Sequence, residues 1–254
     1  MVIDDNNIDL IFEGLKFQLN EMPNSENSKP SLIKRGLEKI KLLINKTINK
    51  FTKIKYSIKN FLNKNENLQL QSNEEIFVNY FNMHNIDILF NRIIPGLSVA
   101  TDMIEDYYNL ARKLLMNTNM PMSVKETQLQ NKSDEIYNYI QPITDQRALK
   151  TNLFGTGNET LRLDDTEINF MIRILDHISS ENIIYQLATI KSNVESVYNK
   201  FKILEDNIEN DLNRKIISDS KYFVQYITII ITFINNIVIK ISGEFTANLN
   251  KCKK

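Results

Sequence analysis

The sequence predicts an all-α fold, a multi-helix bundle with two long heptad-patterned helices at about residues 31–64 and 180–217. Three observations carry that prediction. Glycine and proline are scarce, 6 and 5 in 254 residues, whereas turn-dense β folds and glycine-lined cofactor loops use both freely. Apolar residues recur at helical steps over long stretches. A hydrophobic fraction of 42% is enough to bury a core, which argues against wholesale disorder.

The first long helix is defined by Ile33, Leu37, Ile40, Ile44, Phe51, Ile54, Ile58 and Phe61, with Thr47 as the one interruption. Leu42, Leu43, Ile48 and Leu62 flank this seam, giving a wide apolar stripe that suits either a bundle core or a membrane interface. Lys34, Arg35, Lys39, Lys41, Lys46, Lys50, Lys53, Lys55, Lys59 and Lys64 surround it, against the single acid Glu38. Residues 31–64 therefore carry +9 in a chain whose formal charge is zero, and the rest of the chain sums to −9. Such sorting suits contact with an anionic partner: phosphate of nucleic acid or of lipid, an acidic protein, or simply water on the outside of a bundle. Only one of the ten cations is arginine, which favours backbone contact over bidentate base reading.

Other elements follow in chain order. Asp4 and Asp5 can cap a short helix ending near Met22, and residues 23–30 have the composition of a linker, as does the amide-rich stretch 63–73. Ser72 and Glu75 stand at capping-box spacing before Ile76, Phe77, Tyr80, Phe81, Ile88 and Leu89, and Pro95-Gly96 should break that helix. A helix is expected over 98–116, and another behind Ser123 and Glu126 that ends before Pro142. The stretch 143–160 reads as a loop, and Asp164 and Asp165 should cap a helix through Ile168, Met171, Ile172 and Leu175.

Then comes the most regular pattern in the chain. Ile183, Leu187, Ile190, Val194, Val197, Phe201, Leu204 and Ile208 are spaced alternately by four and three, a 3.5-residue repeat that predicts a helix–helix interface in coiled-coil fashion, within the chain or between chains. Residues 222–239 carry no charge and reach the lower length limit of a membrane span. Gln225, Thr228, Thr232, Asn235 and Asn236 fall on one side of that helix, which favours a buried or interface helix while leaving membrane contact open. Three segments organise the chain: 1–64, 73–160 and 161–254, with soft boundaries compatible with one domain.

No catalytic motif is legible. His84 and His177 are far apart and neither has a second histidine at ligand spacing, so no metal is expected. Gly155-Thr156-Gly157 lacks the remaining signature of a phosphate loop, so no cofactor is expected either. Cys252, the single cysteine, sits at an expected frayed end and excludes an internal disulfide. Asp4 and Asp5 occupy the place where a signal peptide needs positive charge, so cytoplasmic synthesis is expected. Taken together these features point to a non-enzymatic protein that works through helical surfaces, with self-association or protein partners.

The count of 37 Ile, 34 Asn and 24 Lys, the basic helix 31–64 and the closing run Phe223–Ile234 resemble the helical virion and internal-head proteins of AT-rich tailed phages. That resemblance implies a multi-copy particle component whose lysine helix touches packaged nucleic acid.

Overall fold

The computed structural model describes residues 29–64, 75–144, 153–154, 159–205 and 211–252. The fold is all-α, a multi-helix assembly with one two-stranded ladder. The expected helix before Met22, most of the expected loop at 143–160, and Ile208 lie outside the described residues.

Helix α1 (Lys29–Asn63) follows the apolar seam. Ile33, Leu37, Ile40, Ile44, Phe51 and Ile58 are buried, and Ile54 and Phe61 are partly so. Thr47 is fully buried in the seam because its hydroxyl donates to the Leu43 carbonyl at 2.9 Å, which satisfies the one polar group there.

Ser72 of the expected capping box lies outside the described residues, and the chain after Glu75 leads into a strand, not the expected helix. Strand β1 (Phe77–Asn79) pairs antiparallel with β2 (Thr160–Arg162), with Val78 opposite Leu161. The run Ile76-Phe77-Val78 favours a pleated surface. Val78 turns into the core while Phe77 faces outward. Glu75 adds an ion pair to Arg162 at 3.2 Å. Helix α2 (Met83–Ile88) begins instead behind Asn82, whose side chain accepts from the Asn85 N–H at 3.1 Å.

Pro95-Gly96 does not break the chain as expected. A π turn over Leu89–Ile93 carries α2 into α3 (Ile94–Met116), with the Ile94 N–H reaching back to the Leu89 carbonyl. Pro95 then sits in the first turn of α3, where its missing N–H costs least, and the wider turn relieves its ring. Helix α4 (Met122–Thr144) starts just ahead of the expected Ser123 cap and runs through Pro142. Its first turn is closed by the Pro121 carbonyl, which accepts from Val124 and Lys125. The proline lies in the last described turn of this helix, where its ring removes one backbone donor.

Helix α5 (Asp165–Ser179) is capped as its sequence predicts. Asp164 accepts from the Thr166 and Glu167 N–H groups, and the Glu167 carboxylate accepts from the Asp164 N–H at 3.1 Å. The expected helix over 180–217 is described in two stretches, and residues 206–210 between them lie outside the described residues. Helix α6 (Glu181–Glu205) carries the heptads, and α7 starts at Asp211. Helix α7 (Asp211–Lys251) extends well past the expected 222–239, because Leu212, Ile216, Ile241, Phe245 and Leu249 prolong its apolar seam in both directions. Lys240, an expected boundary, lies instead over the Phe154 ring at 4.5 Å. Cys252 is buried rather than frayed.

Helix α7 packs against α1, α3, α4 and α5, and α6 packs between α1 and α3. The helices from all three sequence segments share one continuous core. A polar network crosses it. The Tyr107 hydroxyl donates to Asp219 at 2.6 Å, Lys215 lies 3.1 Å from the same carboxylate, and the buried Tyr108 hydroxyl donates to Ser220 at 2.6 Å. These bonds fix the register of α3 against α7. Burial and the adjacent Asp219 hold the Tyr107 phenol far above its ordinary value, so it remains a donor at all working pH.

The two helical glycines should respond oppositely to alanine. A Cβ at Gly36 would stand 2.6 Å from a Val224 methyl, where α1 and α7 approach closely; at Gly243 it would meet nothing within 4 Å. Gly243→Ala is expected to stabilise by about 0.5–1 kcal/mol through helix propensity. Gly36→Ala gains the same propensity but forces overpacking of about 1–3 kcal/mol, so its net effect should be destabilising. Denaturant midpoints of the two variants check both signs.

Candidate polyanion-binding surface

The ten cations of α1 are not equivalent once the helix is docked. Arg35, Lys39, Lys46, Lys50, Lys53 and Lys64 are exposed and separated by steps of 3, 4, 7 and 11 residues, each close to whole helical turns. They form one outward line spanning roughly 43 Å at 1.5 Å per residue. Lys59 is exposed beside that line. Among the described residues, Arg35, Lys46, Lys50, Lys53, Lys59 and Lys64 have no carboxylate at ion-pair distance.

The other three turn toward the protein. Lys41 is half-buried, 3.8 Å from Glu195 and 5.3 Å from the centre of the Tyr198 ring, both on α6. Lys34 is half-buried, and Lys55 is buried at 7% exposure. Glu38, the lone acid of the helix, accepts a hydrogen bond from Tyr198 at 3.2 Å. Helix α6 thus ties down one flank of α1 and leaves the cationic line facing out.

Leu42 departs from the sequence reading. Leu43, Ile48 and Leu62 pack against the core, whereas Leu42 is 60% exposed within the cationic line, and Tyr56, 63% exposed, stands beside it. Both residues lie off the 3.5-residue seam, and that offset was the available signal.

The predicted interface residues of α6 are brought together inside the chain. Ile183, Leu187, Ile190, Val194, Val197, Phe201 and Leu204 are all buried. Polar contacts bracket this seam on the α3 side: Asn193 bonds to Thr101 at 3.2 Å and also to Asp102, and Lys200 pairs with Glu105.

The histidines are kept apart. His84 is exposed at the start of α2, where it lines an open depression of about 360 Å³ with Tyr80, Phe81, Met83, Leu161 and Glu167. Burial pushes the Glu167 carboxyl up, and the neighbouring Asp164 adds to the shift; that carboxylate is already engaged in the α5 cap. His177 sits edge-on to Phe90 at 5.4 Å, on α5 beside the Arg173–Asp87 ion pair at 3.0 Å. Among the described residues no group of three His, Cys, Asp or Glu side chains is placed to hold a metal.

Burial, and secondarily the Arg173 cation, hold the His177 imidazole below its ordinary value of 6.5. The folded state therefore binds its proton later than the unfolded chain. The associated stability is present above pH 6.5 and falls as the pH drops through the lowered value. His177→Gln should remove that part of the acid dependence, which paired unfolding curves at pH 7.5 and pH 5.5 would show.

Fold and surface together define this chain as an all-α helical bundle with one cationic face. In comparisons with protein-family models, curated proteins and solved structures, nothing matches it.

Proposed function

We propose that this chain is a non-enzymatic structural or assembly protein whose helical bundle holds α1 as a cationic rail against the phosphate backbone of nucleic acid. The observation that carries this reading is the outward line of Arg35, Lys39, Lys46, Lys50, Lys53 and Lys64. Exposed cations can release counterions from a polyanion on contact, which gives binding without sequence preference. Lysine ammonium groups on flexible stems suit that task better than base recognition. The resemblance in composition and helix pattern to virion proteins of AT-rich tailed phages supports reading this activity as that of a multi-copy particle component.

The test is affinity for duplex DNA across a salt series. If all six cations of the line are engaged, log K should fall against log salt with a slope of about −5, at about 0.9 per phosphate. A flat response would exclude phosphate contact through these lysines.

A second reading draws on α7. Leu212–Lys251 is long and apolar enough to cross a membrane by length and composition, so a membrane-anchored protein with its span at 222–239 and α1 as an interfacial helix is the rival. Against it, 56% of the most apolar window is buried against other helices of the chain. Flotation with anionic vesicles separates the two: protein that stays at the bottom of the gradient removes the rival.

A further inference from the structure

We propose that copies of this chain join head to tail, the α3–α4 turn of one copy seated in the depression beside the β1–β2 ladder of the next. This deepens the assembly reading by naming the partner, a second copy, and the two surfaces that meet.

The turn is a convex apolar knob. Met116, at 73%, is the most exposed large apolar side chain among the described residues, and Met122 and Val124 are exposed beside it at 39% and 41%. The turn has defined geometry: the Asn117 N–H donates to the Leu114 carbonyl at 3.3 Å, and the Asn119 N–H donates to the Asn117 side chain at 3.1 Å. Apolar side chains exposed together on one turn can form a contact site. Methionine adapts to irregular recesses better than a branched side chain. No acid occurs between residues 107 and 125. Arg112 and Lys113 are exposed one turn behind the knob and have no ion-pair partner among the described residues.

The depression is its complement in shape and charge. Phe81, Met83 and Leu161 give it apolar walls, Tyr80, Asn82 and His84 line it beside them, and its open volume of about 360 Å³ has room for the methionine apex. Glu167 lines it, and Asp164 and Asp165 lie beside Glu167 at the start of α5. Cations behind the knob would meet these carboxylates at the rim while the apex fills the apolar floor.

The two surfaces cannot satisfy each other within one chain. The depression lies at the Met83 end of the helical run from α2 through α3, and the knob lies at its Met116 end, roughly 50 Å along the helix path. A knob and a recess at opposite ends of one rod make a heterologous contact, which propagates into rings or filaments rather than closing as a two-fold dimer.

Sedimentation velocity of the full chain across a concentration series tests this. Wild type should show mass increasing stepwise with concentration. Met116→Glu/Met122→Glu alters only exposed side chains and should stay monomeric, as should Met83→Lys, which places a charge in the apolar floor that receives the methionine apex. Mixing the two variants should yield one-to-one dimers and nothing larger, since each keeps one working surface. Circular dichroism confirms that each variant is folded, and the knob variant decides the question if Met83→Lys is not. A monomeric wild type at all concentrations would overturn the proposal, as would a folded knob variant that assembles like wild type. So would loss, in that variant, of binding to phosphatidylcholine/phosphatidylglycerol vesicles by a wild type that does not self-associate. Neutralising Lys46, Lys50 and Lys53 should leave this self-association intact, so its failure is distinguishable from failure of polyanion contact.

Discussion

Neutralising the centre of the cationic line, by Lys46→Gln/Lys50→Gln/Lys53→Gln, should cost roughly two to three orders of magnitude in duplex affinity near 0.1 M salt and make the salt slope shallower by about 2.7. The size follows from counterion release, about 0.9 of slope per phosphate no longer neutralised. All three side chains are exposed and make no ion pair among the described residues, so the bundle should keep its stability within about 0.5 kcal/mol. The matched control is Lys41→Gln, which removes a cation already facing Glu195 and Tyr198. It should change the slope by much less while loosening α1 against α6. Equal effects from both variants would mean that net charge matters and the line does not.

Phe223→Ala should bring the whole chain close to unfolding. Phe223 is 1% exposed in the first third of α7, edge-on to Tyr107 at 5.2 Å and to Tyr222 at 6.2 Å. Removing a buried ring of this kind costs about 3–5 kcal/mol, from a total that for most domains is only about 5–15 kcal/mol. At roughly 2–4 °C per kcal/mol for a chain of this size, the melting temperature should drop by about 6–20 °C. The result also bears on the membrane reading. A side chain facing lipid in a span at 222–239 would have no tyrosine shell to lose, and its truncation would leave the melting temperature of the rest of the chain nearly unchanged.

Much of the fold was legible because its helices are long and their seams regular. Ile33 to Phe61 and Ile183 to Leu204 could be read at 3.5-residue spacing, and those seams are buried, partly so at Ile54 and Phe61. The Asp164 cap was legible for a local reason, since both partners lie within four residues. Short non-local elements were not. The pairing of Val78 with Leu161 depends on two segments more than eighty residues apart, and nothing within either one specifies the other. The path through Pro95 was hidden because a π turn leaves no distinct periodicity in five residues. The ends of α7 were misjudged because Lys221 and Lys240 interrupt the hydropathy without interrupting the seam, which resumes at Ile241, Phe245 and Leu249.

The candidate surface was partly legible too. Charge and spacing marked all ten cations of α1, but only docking against α6 and α7 separates the outward line from Lys41 and Lys55. The knob at Met116 and the depression at Met83 carry no sequence signature, since each is defined by what the fold leaves uncovered.

The most direct measurement is a lysine-reactivity footprint of the full chain, comparing acylation by mass spectrometry with and without duplex DNA at low salt. Lys39, Lys46, Lys50, Lys53 and Lys64 should become protected together, while Lys41 and Lys113 keep the reactivity they have in the free protein. Unchanged reactivity along α1 in the presence of saturating duplex, or protection concentrated on another helix, would contradict a cationic rail that meets a polyanion.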